Sequence, residues 1–218
     1  MQPPAANFLG DLIKNSDAAT PLKSHGVSRL LMQFAWANVL LNIVSLILSL
    51  LKVIAPTIEA PLQGLQQIFV IVSIPVALIL LVLFLVWLYR LHVDLKVLFN
   101  DYPITPGGAL ARFIIPIYSI WGIWNALSTF ANRFNQEGGE LAKCAEYINP
   151  LIGGFYALTI TSNMLNRELS RMQTQNPEIE PLWLFLLNDV VALGLSFMLL
   201  LMVKSMSSAV VAKARQPK

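Results

Sequence analysis

Very few side chains in this 218-residue chain could act on a substrate. The histidines are His25 and His92, the lone cysteine is Cys144, and neither histidine has a second metal-type ligand four residues on. His92-x-Asp94 is the nearest approach to an acid–base or metal pair, yet zinc sites want three or four ligands. A solvated helix face just beyond a membrane accounts for that spacing better. No G-x-S-x-G elbow or H-E-x-x-H helix is present, and Gly107-Gly108 and Gly153-Gly154 lack the Lys-Ser/Thr of a phosphate loop. Gly153-Gly154 reads instead as a place of close helix approach or a bend. No catalytic residue, metal site or cofactor is expected.

The polar groups that could matter sit inside apolar runs. Asp189 lies seven residues into 182–203, about 10 Å along a helix axis. An ionisable group there is expensive and usually has a role. The run can carry it: nine Leu, two Phe and three Val supply roughly 4–8 kcal/mol of insertion, against about 2.5–3.5 kcal/mol for one aspartate. No Lys or Arg is expected at matching depth. The carboxyl is therefore either protonated and bonded to Asn residues, in contact with cavity water, or paired with a partner's cation. Asp189, Ala192 and Ser196 share one helix face. Asn38, Asn42, Ser45 and Ser49 form a second polar stripe at spacings of 4, 3 and 4, and Tyr118, Gly122, Asn125, Thr129 and Asn132 a third. Such residues are common helix glue at about 0.6 kcal/mol per contact; the sharper reading is a hydrated path or a pocket.

The elements that must position these residues are membrane helices. Of all residues 56% are hydrophobic and 12% charged, about half the charge of soluble domains. Runs 30–51 and 68–89 hold no charge and 182–203 holds only Asp189. Each 22-residue run spans about 33 Å as a helix, matching a hydrocarbon core of about 30 Å. Two weaker stretches, 113–131 and 147–165, are uncharged but interrupted by Pro, Gly and polar residues. The rest is too short for a soluble domain. The expected organisation is a polar N-terminal tail (1–29), a transmembrane helical domain (30–204) and a basic C-terminal tail (205–218). Residues 1–29 contain no apolar signal-peptide core, so the first run is expected to act as the uncleaved insertion signal.

Five spans with the N-terminus inside would divide Lys and Arg 8 inside to 7 outside, no bias at all. With 113–131 interfacial or re-entrant the division is 12 to 3; with 147–165 non-spanning it is 10 to 5. The positive-inside rule favours the first. Pro116 breaks the 113–131 helix, and Tyr118, Trp121 and Trp124 suit headgroup depth. The expectation is thus an all-α membrane bundle of four spans plus one Pro-broken segment, with five spans as the alternative. Both termini are cytoplasmic and the protein sits in a cell membrane. The absence of Asn-x-Ser/Thr sequons fits a bacterial inner membrane. A net charge of +3 is too small to imply nucleic acid; the basic tail (Lys204, Lys213, Arg215, Lys218) suits anionic lipid heads.

After the second span, Leu88, Leu91, Leu95 and Leu98 continue a helix with an apolar stripe. Arg90 and Asp94 could pair across one turn. Asn100-Asp101-Tyr102-Pro103 stops the helix, and Thr105-Pro106-Gly107-Gly108 reads as a turn. Trp87-x-Tyr89-Arg90, Thr105-Pro106-Gly107, Pro116 with Ile117, and Trp121 together resemble an uncharacterised bacterial family of multi-span membrane proteins. Its members, one of the domain-of-unknown-function classes, carry a W-x-Y-R, S/T-P-G, P-I/V and Trp succession between the second and third apolar segments. The likeness covers about residues 83–134. Gly122-Ile123 follow Trp121 where the family commonly has a Pro. The resemblance implies a multi-span fold and brings no activity, cofactor or catalytic residue.

Two functions remain. One is a non-catalytic scaffold, assembly or regulatory partner in a membrane complex, favoured by the thin chemistry and an exposed leucine stripe. It would meet a protein partner or a second copy through polar helix faces. The other is a small transporter or channel-like protein using Asp189, against which the lack of an internal repeat counts.

Overall fold

The apolar runs close their backbone hydrogen bonds within themselves, as lipid demands, and so form long helices. The computed structural model describes residues 22–55, 59–175 and 181–216; most of the expected polar tail, residues 1–21, falls outside them. The described chain forms α1 (His25–Ile54), α2 (Glu59–Leu98), α3 (Pro106–Ile114), α4 (Pro116–Gln136), α5 (Gly139–Gln175) and α6 (Leu182–Ala214), with no strand among the described residues.

Helices α1, α2 and α6 are long and apolar enough to cross a membrane. This is an all-helical membrane protein. At 30, 40 and 33 residues they run about 45, 60 and 50 Å, well beyond the core of about 30 Å. Four spans were expected and three helices qualify. The fourth, 147–165, lies within the 37-residue α5, which is long enough but too polar. Its polar side chains are served by their own helix. Thr159, Thr161, Ser170 and Thr174 hydroxyls and the Asn163 amide donate to carbonyls four residues back, at 2.7–3.0 Å. The break in 113–131 falls at Pro116: α3 ends at Ile114, Ile115 is extended (φ −80°, ψ 115°), and Pro116 opens α4.

The chain divides into two compact units. The first holds residues 1–32, 82–153 and 201–218. Here the leucine stripe is not exposed: Leu88, Leu91 and Leu95 are wholly buried, with Phe130, Phe134, Ile148 and Met206 also in the core. Phe134 lies edge-on to Phe99 and stacks on Phe130. Residues 205–214, expected as a tail, are the last turns of α6, with Met206, Ala209 and Val210 buried. Lys213 bonds Glu137, which also meets Arg133 at 3.5 Å; Arg133 reaches Asp101 at 2.9 Å and lies over the Phe99 ring. Thr105-Pro106-Gly107-Gly108 is not a free turn. Thr105 caps α3, its Oγ1 accepting from Gly108 N at 3.1 Å, and Pro106 takes the first helical position. In α4 the expected polar stripe points outward: Asn125 and Asn132 are exposed, while Ala126, Leu127 and Phe130 are buried. Gly122 of that stripe faces inward, against Arg112 of α3, and the side chain of Tyr118 lies outside those described.

The second unit holds 33–81 and 154–200. Its surface is apolar: Ile68, Ile71, Ile74 and Leu78 of α2 are each more than half exposed, the surface that lipid solvates and water does not. Gly154 meets Met198 and Gly194 meets Leu158, drawing α5 onto α6; nothing lies within 4 Å of a Cβ built on Gly153. Of the expected Gly153-Gly154 approach, only the second glycine is used.

Candidate functional site

His92 and Asp94, expected on a solvated helix face, are both buried, and their side chains serve different neighbours. Asp94 is buried and accepts from the backbone N–H of Lys23 (3.0 Å) and Ser24 (2.8 Å), the unpaired donors at the start of α1. Arg90 donates to the Lys23 carbonyl at 3.4 Å, so the two residues clamp one helix start instead of pairing with each other. His92 is buried with Nδ1 2.9 Å from Leu88 O, and its ring meets Tyr102 edge-on. Tyr102 is fully buried, and burial pushes its phenol well above the usual tyrosine range. Cys144 is buried too; burial first and the Glu140 carboxylate second push its thiol up, the reverse of what a nucleophile needs. No three metal-type ligands gather among the described residues.

The family-like positions turn out to shape the first unit. Trp87 is buried and its indole N–H donates to Ser207 at 3.2 Å. Thr105, Pro106 and Gly107 open α3, and Pro116 opens α4. Tyr89 is about half exposed, and Trp121 and Trp124 stand out from α4. None of them surrounds a cavity among those described.

The intramembrane polar residues do converge. The stripes of α1 and α6 face each other within the second unit. Asn38 and Asn42 each donate an amide N–H to Ser196 Oγ, at 2.7 and 3.0 Å. Ser196 Oγ donates in turn to the Ala192 carbonyl at 2.9 Å. Asn42 also reaches Asn38 O at 2.8 Å. Two turns away, Ser45 donates to Asp189 Oδ1 at 3.0 Å and Ser49 to Oδ2 at 2.5 Å. Every member of the predicted face is therefore bonded to the facing helix, and each oxygen of Asp189 accepts from α1. The Asn residues bond to Ser196 and not to the carboxylate, as one of the three alternatives for Asp189 would have had it.

The two ends of this seam differ. Around Ser196 the polar groups satisfy one another. Around Asp189 a cavity of about 270 Å³, partly open to the surface, is lined by Ser45, Ser49, Lys52, Gln66 and Asp189 with apolar walls that include Phe69 and Phe185. A volume near 270 Å³ is that of roughly nine waters, and lies just below the range of about 300–1,000 Å³ typical for drug-sized ligands. The cavity reaches from Asp189, deep in its apolar run, to the helix ends at Lys52 and Leu182. The sequence reading expected no Lys or Arg at the depth of Asp189, and it did not connect Lys52, in the last turn of α1, with the same cavity. Its signal was there, because Lys52 follows Ser49 by three residues and so extends the 4-3-4 stripe by one more turn.

Fold and seam together define an all-helical membrane protein with a charged, partly open cavity among its apolar helices. No protein-family model, curated protein or solved structure matches the chain.

Proposed function

We propose that this is a non-catalytic membrane protein that binds a small ammonium- or cation-bearing ligand at Asp189, the transporter-like reading of the two. The observation that carries it is the placement of Asp189: a carboxylate held by two serine hydroxyls on the wall of a partly open cavity. A carboxylate serving only as helix glue needs no cavity. The scaffold reading loses one of its supports, since the leucine stripe is covered by the chain itself. The polar faces through which a partner or second copy was expected are also engaged with each other.

We place α5 in the bilayer as the fourth span, with both termini in the cytoplasm of a bacterial cell. Two observations support this. The backbone bonds of its Thr, Ser and Asn side chains suit α5 to an apolar medium. Among the described residues one unit carries 10 Lys and Arg, and the other only Lys52, Arg167 and Arg171.

The test is thermal unfolding of the purified protein in detergent with ethylammonium chloride, against sodium chloride at equal ionic strength. Binding at a hundredfold excess over Kd stabilises by about 2.7 kcal/mol, so the parent should melt several degrees higher with ethylammonium and Asp189→Asn should not. A shift that is absent, or equal in both proteins, overturns the reading. Exposed Trp121 and Trp124 on α4 favour a scaffold role as the second reading. A stoichiometric protein that co-purifies with the parent and is lost from Trp121→Ser would establish it.

A further inference from the structure

Two arginines mark where the apolar runs of α1 and α2 end on one side. Arg29 is the last charge before 30–51 and Arg90 the first after 68–89. Both guanidinium groups therefore stand at the edge of a stretch as long as the hydrocarbon core is thick. The first unit brings these two edges together. Arg90 spends one of its five N–H groups on the Lys23 carbonyl, at 3.4 Å, and Lys23, Arg29 and Arg90 are all exposed. The carboxylate beside them is turned inward: Asp94 is buried, and its oxygens accept from the Lys23 and Ser24 backbone N–H groups. Among the described residues no carboxylate pairs with the side chain of Lys23, Arg29 or Arg90. Exposed apolar side chains adjoin the cations. Leu30 follows Arg29, and Val82, Val86 and Tyr89 precede Arg90 within two turns. The basic tail expected to meet lipid heads is partly spent elsewhere, since Lys213 bonds Glu137.

We propose that Lys23, Arg29 and Arg90 form a docking surface for an anionic phospholipid. Its phosphate lies against the cations and its acyl chains along Leu30, Val82 and Val86. A soluble anion would use the charges and leave the apolar side chains idle, whereas a phospholipid uses both at the depths where the chain presents them. Tyr89, half exposed, is a residue of headgroup level and adds an amphipathic ring there. Each cation close to an anionic leaflet is worth about fivefold in affinity. Three together favour a lipid of net negative charge over a zwitterionic one. This surface shares no residue with the Asp189 cavity, so it stands or falls independently of the ligand proposed there.

Native mass spectrometry of the full chain tests this. The protein is released from neutral detergent after addition of phosphatidylglycerol and phosphatidylcholine of matched chains in equal amounts. Phosphatidylglycerol should be retained about tenfold better or more, and the preference should shrink as ammonium acetate is raised. Arg29→Gln and Arg90→Gln should each reduce the preference about fivefold, and Arg90→Lys should keep it. Arg29 takes no part in the Asp94 clamp, so Arg29→Gln reads the charge even if Arg90→Gln loosens the start of α1. Arg167→Gln removes an equal charge from an exposed position on α5 and should leave the preference unchanged. Glycerol 3-phosphate in large excess should not displace the lipid. Displacement would assign the cations to a soluble anion and overturn the lipid. Equal retention of both lipids, or equal losses from Arg29→Gln and Arg167→Gln, would overturn the docking surface itself.

Discussion

Removing the Ser196 hydroxyl takes an acceptor from two amides, leaving Asn42 its bond to the Asn38 carbonyl. Asn38 and Asn42 both donate to it, and interhelical bonds in membranes are worth about 0.6 kcal/mol each. Ser196→Ala should therefore cost about 1–2 kcal/mol, read as the unfolding midpoint in mixed micelles; an unchanged midpoint would show the seam to be idle. Asp94 is the stricter case in the other unit, because its two acceptors serve backbone N–H groups at the start of α1, that of Lys23 in a part-buried bond and that of Ser24 in a buried one. Asp94→Ala leaves both unpaired and should cost about 2–4 kcal/mol, Asp94→Asn less. Equal stability of Asp94→Ala and the parent would dismiss the clamp. Sequence spacing sufficed for the α1 and α6 polar faces, since a 4-3-4 repeat fixes a helix side whatever faces it. The partners of Asp94 lie 70 and 71 residues away in the chain, and no local periodicity reports such a distance. Its nearest opposite charge, Arg90, was the natural but mistaken guess. Lys52 was missed because it sits one residue past the charge-free run, where the polar stripe was taken to stop.

At the level of elements, close approach is decided by single glycines. A Cβ on Gly122 would stand 2.7 Å from Arg112 Cβ and 3.0 Å from its Cα, with no room for either backbone to yield. Gly122→Ala should separate α3 from α4 and cost about 1–3 kcal/mol. Gly153→Ala, with nothing within 4 Å, should be neutral or stabilising by up to about 1 kcal/mol through helix propensity. Melting temperatures of the two variants in one detergent decide it; the opposite order would refute the packing. The Pro116 break and the stop after Leu98 were legible because Pro and turn residues act locally. The covering of the leucine stripe was not. A stripe announces that something must bury it, while the other buried side chains of its unit, among them Phe130, Ile148 and Met206, are scattered over three other helices. Helix α5 shows the limit of hydropathy itself: its hydroxyls count as polar in any average although most are spent on their own backbone.

For the molecule as a whole, the α1 polar face must look into protein and its opposite face into lipid. In a Cys144→Ser background, cysteines at Asn38, Asn42, Ser45 and Ser49 should resist a lipid-soluble maleimide. Cysteines at Leu40, Ile47 and Leu51, all exposed in the structure, should react; equal labelling would undo the assignment. Composition alone made the membrane class legible. The span count was harder, because α5 sits at the boundary between apolar and polar. The central claim is a membrane-embedded cavity at Asp189 that is reached from outside the cell, and one labelling experiment addresses it. With Cys144 replaced by Ser, intact cells expressing Gln66→Cys or Gln216→Cys would be treated with a membrane-impermeant maleimide. Gln66, on the cavity wall, should label from outside, while Gln216, at the exposed C-terminal end of the described chain, should label only after permeabilisation. Labelling of Gln216→Cys in intact cells, or protection of Gln66→Cys until they are opened, would contradict the account.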